Sequence, residues 1–361
     1  MGWLIYSQAP PAAAAAKNRN HKNKRRINTG PQTKVSIITA SLPHFRNAPP
    51  MNPFAAPCWA ATLSDLGLMV ADGTEAIDFL QSQLTNDLKG LPADRAQLSG
   101  YCTAKGRLLA TFLVWKNGDT VRLLLNHEIQ PAVQKRLGMF ILRAKVKLHD
   151  ATAGRVFLGM GGAAAPDFLA KIFGVLPEGD YGLVHTEIGT LIRLPAVSGT
   201  PRWLLDVDRD FVQQHSAQWQ SVALPLWWWT QIQAGIPQVV AATQEKFVPQ
   251  MINLDAIGGV SFSKGCYPGQ EIVARSHYLG KLKRRMALAH VAADTPLPGT
   301  DVFHDGQPCG VIVNAAPHFA GGCDVLVELP LEIQSPGQVH LGSADGALLE
   351  FLPLPYPLPA K

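Results

Sequence analysis

The segment Lys264-Gly265-Cys266-Tyr267-Pro268-Gly269-Gln270-Glu271 sets one thiol in a glycine-flanked turn. It runs into Glu271-Ile272-Val273-Ala274-Arg275, which reads as regular structure. A thiol acts as nucleophile or metal ligand in its thiolate form, which nearby positive charge and the first-turn N–H groups of a helix both favour. Lys264, two residues before Cys266, supplies the charge, and a helix opening after the turn would supply the N–H groups. Gly265 and Gly269 permit positive φ and Pro268 stiffens the bend, so the sulfur is expected to be held in one place. Cysteine is also a common small apolar filler, and a buried thiol in a tight turn fits the same residues. On residue types alone, both readings stand.

Two other groupings bear on chemistry. Trp227, Trp228 and Trp229 follow one another in a short helix bracketed by Pro225, suited to a first turn, and Gly235, suited to a C-terminal cap. Trp228 and Ile232, four apart, read as the core stripe. Trp227 projects about 100° away from Trp228 and could form an aromatic wall for a planar ligand. Packing by all three indoles is the competing reading. Residues 159–164 fit G-x-G-x-x-A between a strand and a helix, with Glu178 where a dinucleotide ribose would need an acid. They lie in mid-chain, after hairpins and without a run of βαβ units, so a simple strand–turn–helix junction is the better account.

The elements that must position these residues can be read in outline. Ile77, Leu80 and Leu84 recur at helical spacing behind Asp72 and Glu75, which resemble an N-cap. Residues 108–115 form an apolar run of strand length, and 121–125 complete a hairpin after the turn Asn117-Gly118-Asp119. Ile129, Val133 and Leu137 mark another helix, and residues 145–148 alternate like a strand. Helices interleaved with hairpins predict an α+β body. From about residue 281, short apolar runs separated by Gly, Pro and Asp-Gly (287–291, 302–304, 311–313, 325–329, 348–352) predict an all-β module, most simply a small barrel. Lys281, Lys283, Arg284 and Arg285 at the junction read as a solvated strand edge, the other option being contact with RNA or an acidic partner.

Bulk properties narrow the function classes. The 361 residues have room for two or three domains, and no uncharged apolar run approaches the ~18 residues of a membrane span. Five cysteines without a C-x-x-C pair argue against a zinc ribbon or a secreted disulfide framework and fit a reducing compartment. The net charge of +5 is misleading, because residues 1–50 hold eight Lys/Arg and no Asp or Glu. The remainder is mildly acidic, so no direct nucleic-acid binding is expected of the body. The first fifty residues read as a transit peptide, a nucleic-acid arm or, best, an upstream extension ahead of Met51.

The signature and its flanks carry a resemblance. Residues 264–271 reproduce K-G-C-Y-x-G-Q-E, the signature of the YgfZ family, folate-binding relatives of the glycine-cleavage aminomethyltransferase. Residues 247–250 and 253–262 before it and 272–275 and Gly280 after it agree, as do Gln81-Ser82-Gln83-Leu84-Thr85-Asn86-Asp87, Lys105-Gly106-Arg107 and the closing residues 352–356. The likeness spans about residues 63–356. It implies a ferredoxin-like, aminomethyltransferase-like α+β folate-binding body followed by a small C-terminal β-barrel. The chain then divides into a disordered basic extension (1–55), the folate-binding body (56–245), the signature segment (246–280) and the barrel (281–356).

The resemblance also implies a role: a bacterial cytoplasmic factor that binds tetrahydrofolate or another folate and assembles or repairs iron–sulfur enzymes. Its partners would include radical tRNA-modifying enzymes, such as the one that methylthiolates a tRNA adenosine. Cys266 would be the working atom, as nucleophile or transient cluster ligand, with Lys264 favouring its thiolate. Trp227, placed five residues before the Ile of Ile232-Gln233-Ala234-Gly235-Ile236-Pro237, would contact the folate, with Arg275 and Tyr267 on the cofactor side. A second Trp found in some members aligns with Leu66. Aligning Lys105-Gly106-Arg107 with the aminomethyltransferase's Gly-Gly turn puts Ala110 and Thr111 where that enzyme has aspartates, which disfavours glycine cleavage. The alternative is a folate-dependent one-carbon enzyme, such as an amine demethylase, with Asp87 as its base. A third option is a binding module in which the thiol is inert.

Overall fold

The computed structural model describes residue 52 and residues 55–278, 282–333 and 339–359. The expectations for the first fifty residues, Gly280 and Lys281 lie outside the described residues. Strands β1 (Trp59–Thr62) and β2 (Leu66–Asp72) lead to helix α1 (Ala76–Gln81). Then come β3 (Ala96–Cys102), β4 (Leu108–Asn117), β5 (Thr120–Asn126) and α2 (Gln130–Gly138). β6 (Lys147–Asp150), β7 (Arg155–Gly161) and α3 (Ala165–Phe173) precede β8 (Leu183–His185), β9 (Gly189–Val197) and β10 (Thr200–Asp208). Helix α4 (Arg209–His215), strand β11 (Gln220–Ser221), α5 (Leu224–Gln233) and α6 (Gln270–Tyr278) complete the α+β body. The remaining strands are β12 (Arg284–Val291), β13 (Asp301–His304), β14 (Gln307–Pro317), β15 (Cys323–Pro330), β16 (Val339–Leu341) and β17 (Leu349–Leu352).

These strands form three sheets, ordered β11-β1-β7-β10-β9-β8, β3-β4-β5-β2-β6 and β16-β13-β14-β15-β12-β17. Every pairing is antiparallel except the short β1–β11 ladder. The third sheet curls as a half-barrel around its own core of Ala289, Val302, Ile312 and Val325. The hairpin β4–β5 and helix α2, with Ile129, Val133 and Leu137 buried, match the sequence reading. No helix among the described residues is long and apolar enough to cross a membrane.

The glycine-rich run after residue 155 is the strand–turn–helix junction it resembles, and its glycines serve packing. β7 is antiparallel to both neighbours, so no parallel nucleotide-binding unit forms. A Cβ at Gly159 would lie 2.1 Å from Cε3 of Trp227, and one at Gly161 would lie 2.4 Å from Cζ2 of Trp59. Only a strand without side chains at these positions lets two indoles lie flat on it. Those indoles, with Leu68, Trp115 and Leu204, fill the core shared by the first two sheets.

Three local readings need correction. Asp72 ends β2 and pairs with His149 at 2.9 Å, while the Glu75 carboxylate accepts from the Lys145 N–H, so neither caps α1 with its side chain. β6 begins two residues later than the alternation indicated, and β16 had no apolar run long enough to read. Of the junction cations, Lys283 is exposed, as a solvated edge requires, but the two arginines are not. Arg285, 6% exposed, is paired with Asp255, and Arg284 is paired with Glu328.

Candidate functional site

The signature loop is fastened on both sides of its thiol. Upstream, the Lys264 ammonium donates to the carbonyls of Gln81 and Leu84 and lies 5.1 Å from the centre of the Tyr267 ring. Burial pulls the Lys264 pKa down to about 8, and the Asp87 charge opposes that shift. Downstream, Gly269 adopts φ +81° against Gly106 at φ +71°. A Cβ on Gly269 would sit 2.5 Å from both the Thr103 carbonyl oxygen and the Gly106 Cα, so this crossing of two backbones requires glycine. Gly265, by contrast, needs no positive φ and has open space where a Cβ would be. Tyr267 is buried, which raises its phenol pKa, and it fixes the loop from below.

Between these two fastenings Cys266 is exposed, four residues ahead of α6. The other four cysteines are buried or half-buried. Burial pushes Cys58 and Cys323 up to about 11 and Cys102 up to about 12, so those thiols are held neutral. Position therefore singles out one sulfur for contact with another molecule. Among the described residues no group of three or more His, Cys, Asp or Glu could hold a metal ion.

Three separate sequence motifs meet at this loop. The Gln81–Asp87 segment receives Lys264. It is braced by Asn86 Nδ2 donating to the carbonyls of Leu98 and Gly258, and by the Thr85 hydroxyl donating to that of Gly259. The Lys105-Gly106-Arg107 turn supplies the glycine on which Gly269 rests. Asp87, the candidate base of a folate-dependent amine demethylase, accepts from Gln81 Nε2 at 2.9 Å and is not on the wall of the neighbouring cavity.

That cavity lies between the first two sheets and the C-terminal end of α5, with about 60 Å³ open to the centre of a water-sized sphere. Its wall is largely apolar (Leu66, Leu98, Phe112 and Leu204 among others), with Thr111, Tyr181, Gln231 and Gln238 as polar points. Among the described residues, no Asp, Glu, Lys, Arg or His lines it. Thr111 accepts from the Val239 N–H, and Ala110 is fully buried. Tyr181 stands at φ +61°, unusual for a bulky residue, and burial raises its phenol pKa while Arg202 opposes the shift.

The indole on this wall is Trp228, not Trp227. Trp228 is half-buried, and its Nε1 donates to Asp65 at 2.6 Å. Burial raises the Asp65 pKa, and this hydrogen bond partly offsets the rise. Trp227 is 0% exposed, wedged between Gly159 and the Arg202 guanidinium, 5.5 Å from its ring. The core stripe of α5 is Trp227, Thr230 and Ala234, flanked by Trp229 and Ile232. The signal that could have found the wall is Gln231, three residues after Trp228 and on the same helical face. Tyr267 and the exposed Arg275 lie off the cavity wall, as does Cys266. Leu254 relates the two regions: it lines the cavity, and its side chain packs where Cβ atoms on Gly100 and Gly259 would stand.

Comparison with known proteins agrees with this architecture. The tRNA-modifying protein YgfZ of Serratia proteamaculans is 30% identical over 324 residues, 86% of this chain and 97% of the relative. That of Sodalis glossinidius is 30% identical over 311 residues, covering 83% and 93%. That of Yersinia enterocolitica is 29% identical over 333 residues, covering 87% and 97%. The glycine cleavage system aminomethyltransferase T of Bartonella henselae superposes with a TM-score of 0.64 at 14% identity, covering 83% of this chain and 86% of that one. It therefore shares the fold. No family model matches the chain.

Proposed function

Because this chain belongs to the YgfZ family, we propose that it is a folate-binding factor that supports assembly or repair of iron–sulfur enzymes, including tRNA methylthiolation, through Cys266. The observation that carries this reading is the exposure of one thiol out of five, on a loop fastened at Lys264 and at Gly269. An exposed sulfur on a fixed support can attack, or transiently ligate, a group presented by a partner. One thiol cannot hold a cluster alone, so the partner supplies the remaining ligands. The chain acts in the bacterial cytoplasm on this reading, with boundaries near residues 55, 245 and 280. The body is taken as ferredoxin-like, and the C-terminal sheet as a barrel closed at the bridge between His340 and Leu348.

Tetrahydrofolate fits the cavity in kind. A planar ring system needs apolar faces and a few fixed polar points, and Trp228, Leu66 and Leu98 offer the first while Thr111, Tyr181 and Gln231 offer the second. Leu66, where some relatives have a second indole, leaves that face aliphatic. Lys264 supports the thiol by holding its loop, since the ammonium is directed to two carbonyls. Tyr267 acts from beneath the same loop, and Arg275 stands on α6 beside it. An amine demethylase is disfavoured, because among the described residues the cavity wall holds no carboxylate and its tyrosine is kept neutral by burial.

The test is methylthiolated adenosine in bulk tRNA of a bacterium lacking its own family member, carrying this chain from Met51 either unaltered or as Cys266→Ala. Restoration by the unaltered chain alone is expected. Equal restoration by both would make the thiol dispensable, and restoration by neither, with soluble protein present, would remove the iron–sulfur role.

A further inference from the structure

Among the described residues Arg202 is the most deeply buried arginine, at 1% exposed, and its charge plays no part in the function proposed above. It lies on β10, opposite Leu194 and two residues before Leu204, and both of those leucines line the cavity. Its five N–H groups can be accounted for. Nε donates to the Pro195 carbonyl at 2.9 Å, and Nη1 donates to the Thr230 hydroxyl at 2.8 Å and to Gln231 Oε1 at 2.9 Å. Nη2, with two N–H groups, has no partner, and no carboxylate pairs with Arg202 among the described residues. Burial alone lowers its pKa to about 10, against the opposing effects of Tyr181 and Asp180. A guanidinium left this way in a native core calls for an acceptor that the protein itself does not provide.

The bond to Gln231 has a second effect. Because Oε1 accepts from Arg202, the amide of Gln231 is fixed with its NH₂ turned away, and that NH₂ has no protein partner among the described residues. The polar corner where α5 meets β10 is therefore built of donors: Gln231 Nε2 at the wall and Arg202 Nη2 behind it. Among the described residues, no acid faces this corner from the cavity wall.

We propose that this corner selects ligands by a carbonyl-type acceptor on the edge of a planar ring and rejects an amino group at the same position. The inference rests on the folate reading, and for a folate the acceptor is the 4-oxo group of the pteridine. The N3–H beside that oxygen and the 2-amino group beyond it would be left to the other polar points of the wall, Thr111, Tyr181 and Gln238. An amino group at position 4 would bring its own N–H groups against Gln231 Nε2 and Arg202 Nη2, and it raises the basicity of the ring, so a protonated ring would also face the Arg202 charge.

Folic acid and aminopterin differ in having oxygen or NH₂ at position 4, which makes them a direct test, repeated with their tetrahydro forms. Titration of the unaltered chain from Met51, followed by tryptophan fluorescence, is expected to show about 10–100-fold tighter binding of the 4-oxo compound, the worth of a charge-assisted hydrogen bond. In Arg202→Met and Gln231→Leu the preference is expected to collapse to within about threefold. If Arg202→Met does not fold, Gln231→Leu and the two ligands on the unaltered chain still decide. Equal binding of both ligands, or a preference that survives both substitutions, overturns this inference and leaves the folate reading standing. Binding of neither ligand pair overturns the folate reading and this inference with it.

Discussion

The support beneath Cys266 and the support beneath Trp228 are made of different materials. The thiol loop is held by directional bonds to backbone: an ammonium on two carbonyls, and two glycines whose backbones cross within van der Waals distance. The cavity wall is held by volume. Trp227 fills the space that a side chain at Gly159 would take, and Trp59 does the same at Gly161. Directional bonds fix a loop while leaving its outermost side chain free of contacts. Packing fixes a wall by making each side chain in it indispensable. The difference suits a reactive atom on one side and a shaped ligand pocket on the other.

Substitutions can break or sharpen this contrast. The largest effect is expected from Trp227→Ala, which empties a fully buried site and should cost about 3–5 kcal/mol in denaturant unfolding. A cost below about 1 kcal/mol would mean that the indole is not core. Next comes Lys264→Met, which leaves two carbonyls without their donor and should cost about 1–3 kcal/mol. This pair has a pH signature. The folded-state pKa of Lys264 is about 8 and its ordinary value is 10.5, so between these limits the unfolded chain holds a proton that the folded chain has released. The stability of the unaltered chain, measured against Lys264→Met, should therefore rise as pH increases through that window. A flat difference curve would show that the ammonium is not desolvated.

Smaller still is Tyr356→Phe, which removes a donor to the Gly235 carbonyl at 2.8 Å and should cost about 1 kcal/mol. The smallest is Cys266→Ala, expected to lie within about 0.5 kcal/mol of the unaltered chain because the side chain is exposed. Its effect should appear only in the tRNA assay. A large loss of stability on removing this thiol would place it in the packing and erase the contrast between the two supports.

The sequence was most informative where the physics is local. Asn117-Gly118-Asp119 between two apolar runs marked β4 and β5, and the spacing of Ile129, Val133 and Leu137 marked α2. Five of the six C-terminal strands were visible as apolar runs between turn residues. The curl of their sheet was not, because it depends on pairings between distant segments such as β12 with β17. In α5 the phase was misjudged. Three consecutive indoles give no apolar–polar contrast, and the choice between Trp227 and Trp228 was made by what lies across from them, namely Gly159, 68 residues earlier in the chain. Arg202 had no sequence signal at all. Its importance comes from burial and from one nitrogen without a partner, neither of which residue types disclose.

The bond from Tyr356 to Gly235 spans 121 residues of chain, and its ring fills the space beside Gly235 directly before Ile236, Pro237 and Gln238 of the cavity wall. At a synthesis rate of 5–20 residues per second, α5 leaves the ribosome roughly 6–24 s before the tyrosine that secures its end. For that interval Gly235, next to Ile236, Pro237 and Gln238 of the cavity wall, lacks the ring and the hydroxyl that secure it. The order of translation therefore makes the last strand of the half-barrel and the tail after it the closing step for a site built some hundred residues earlier, and a chain that stalls short of Tyr356 carries that pocket unfinished.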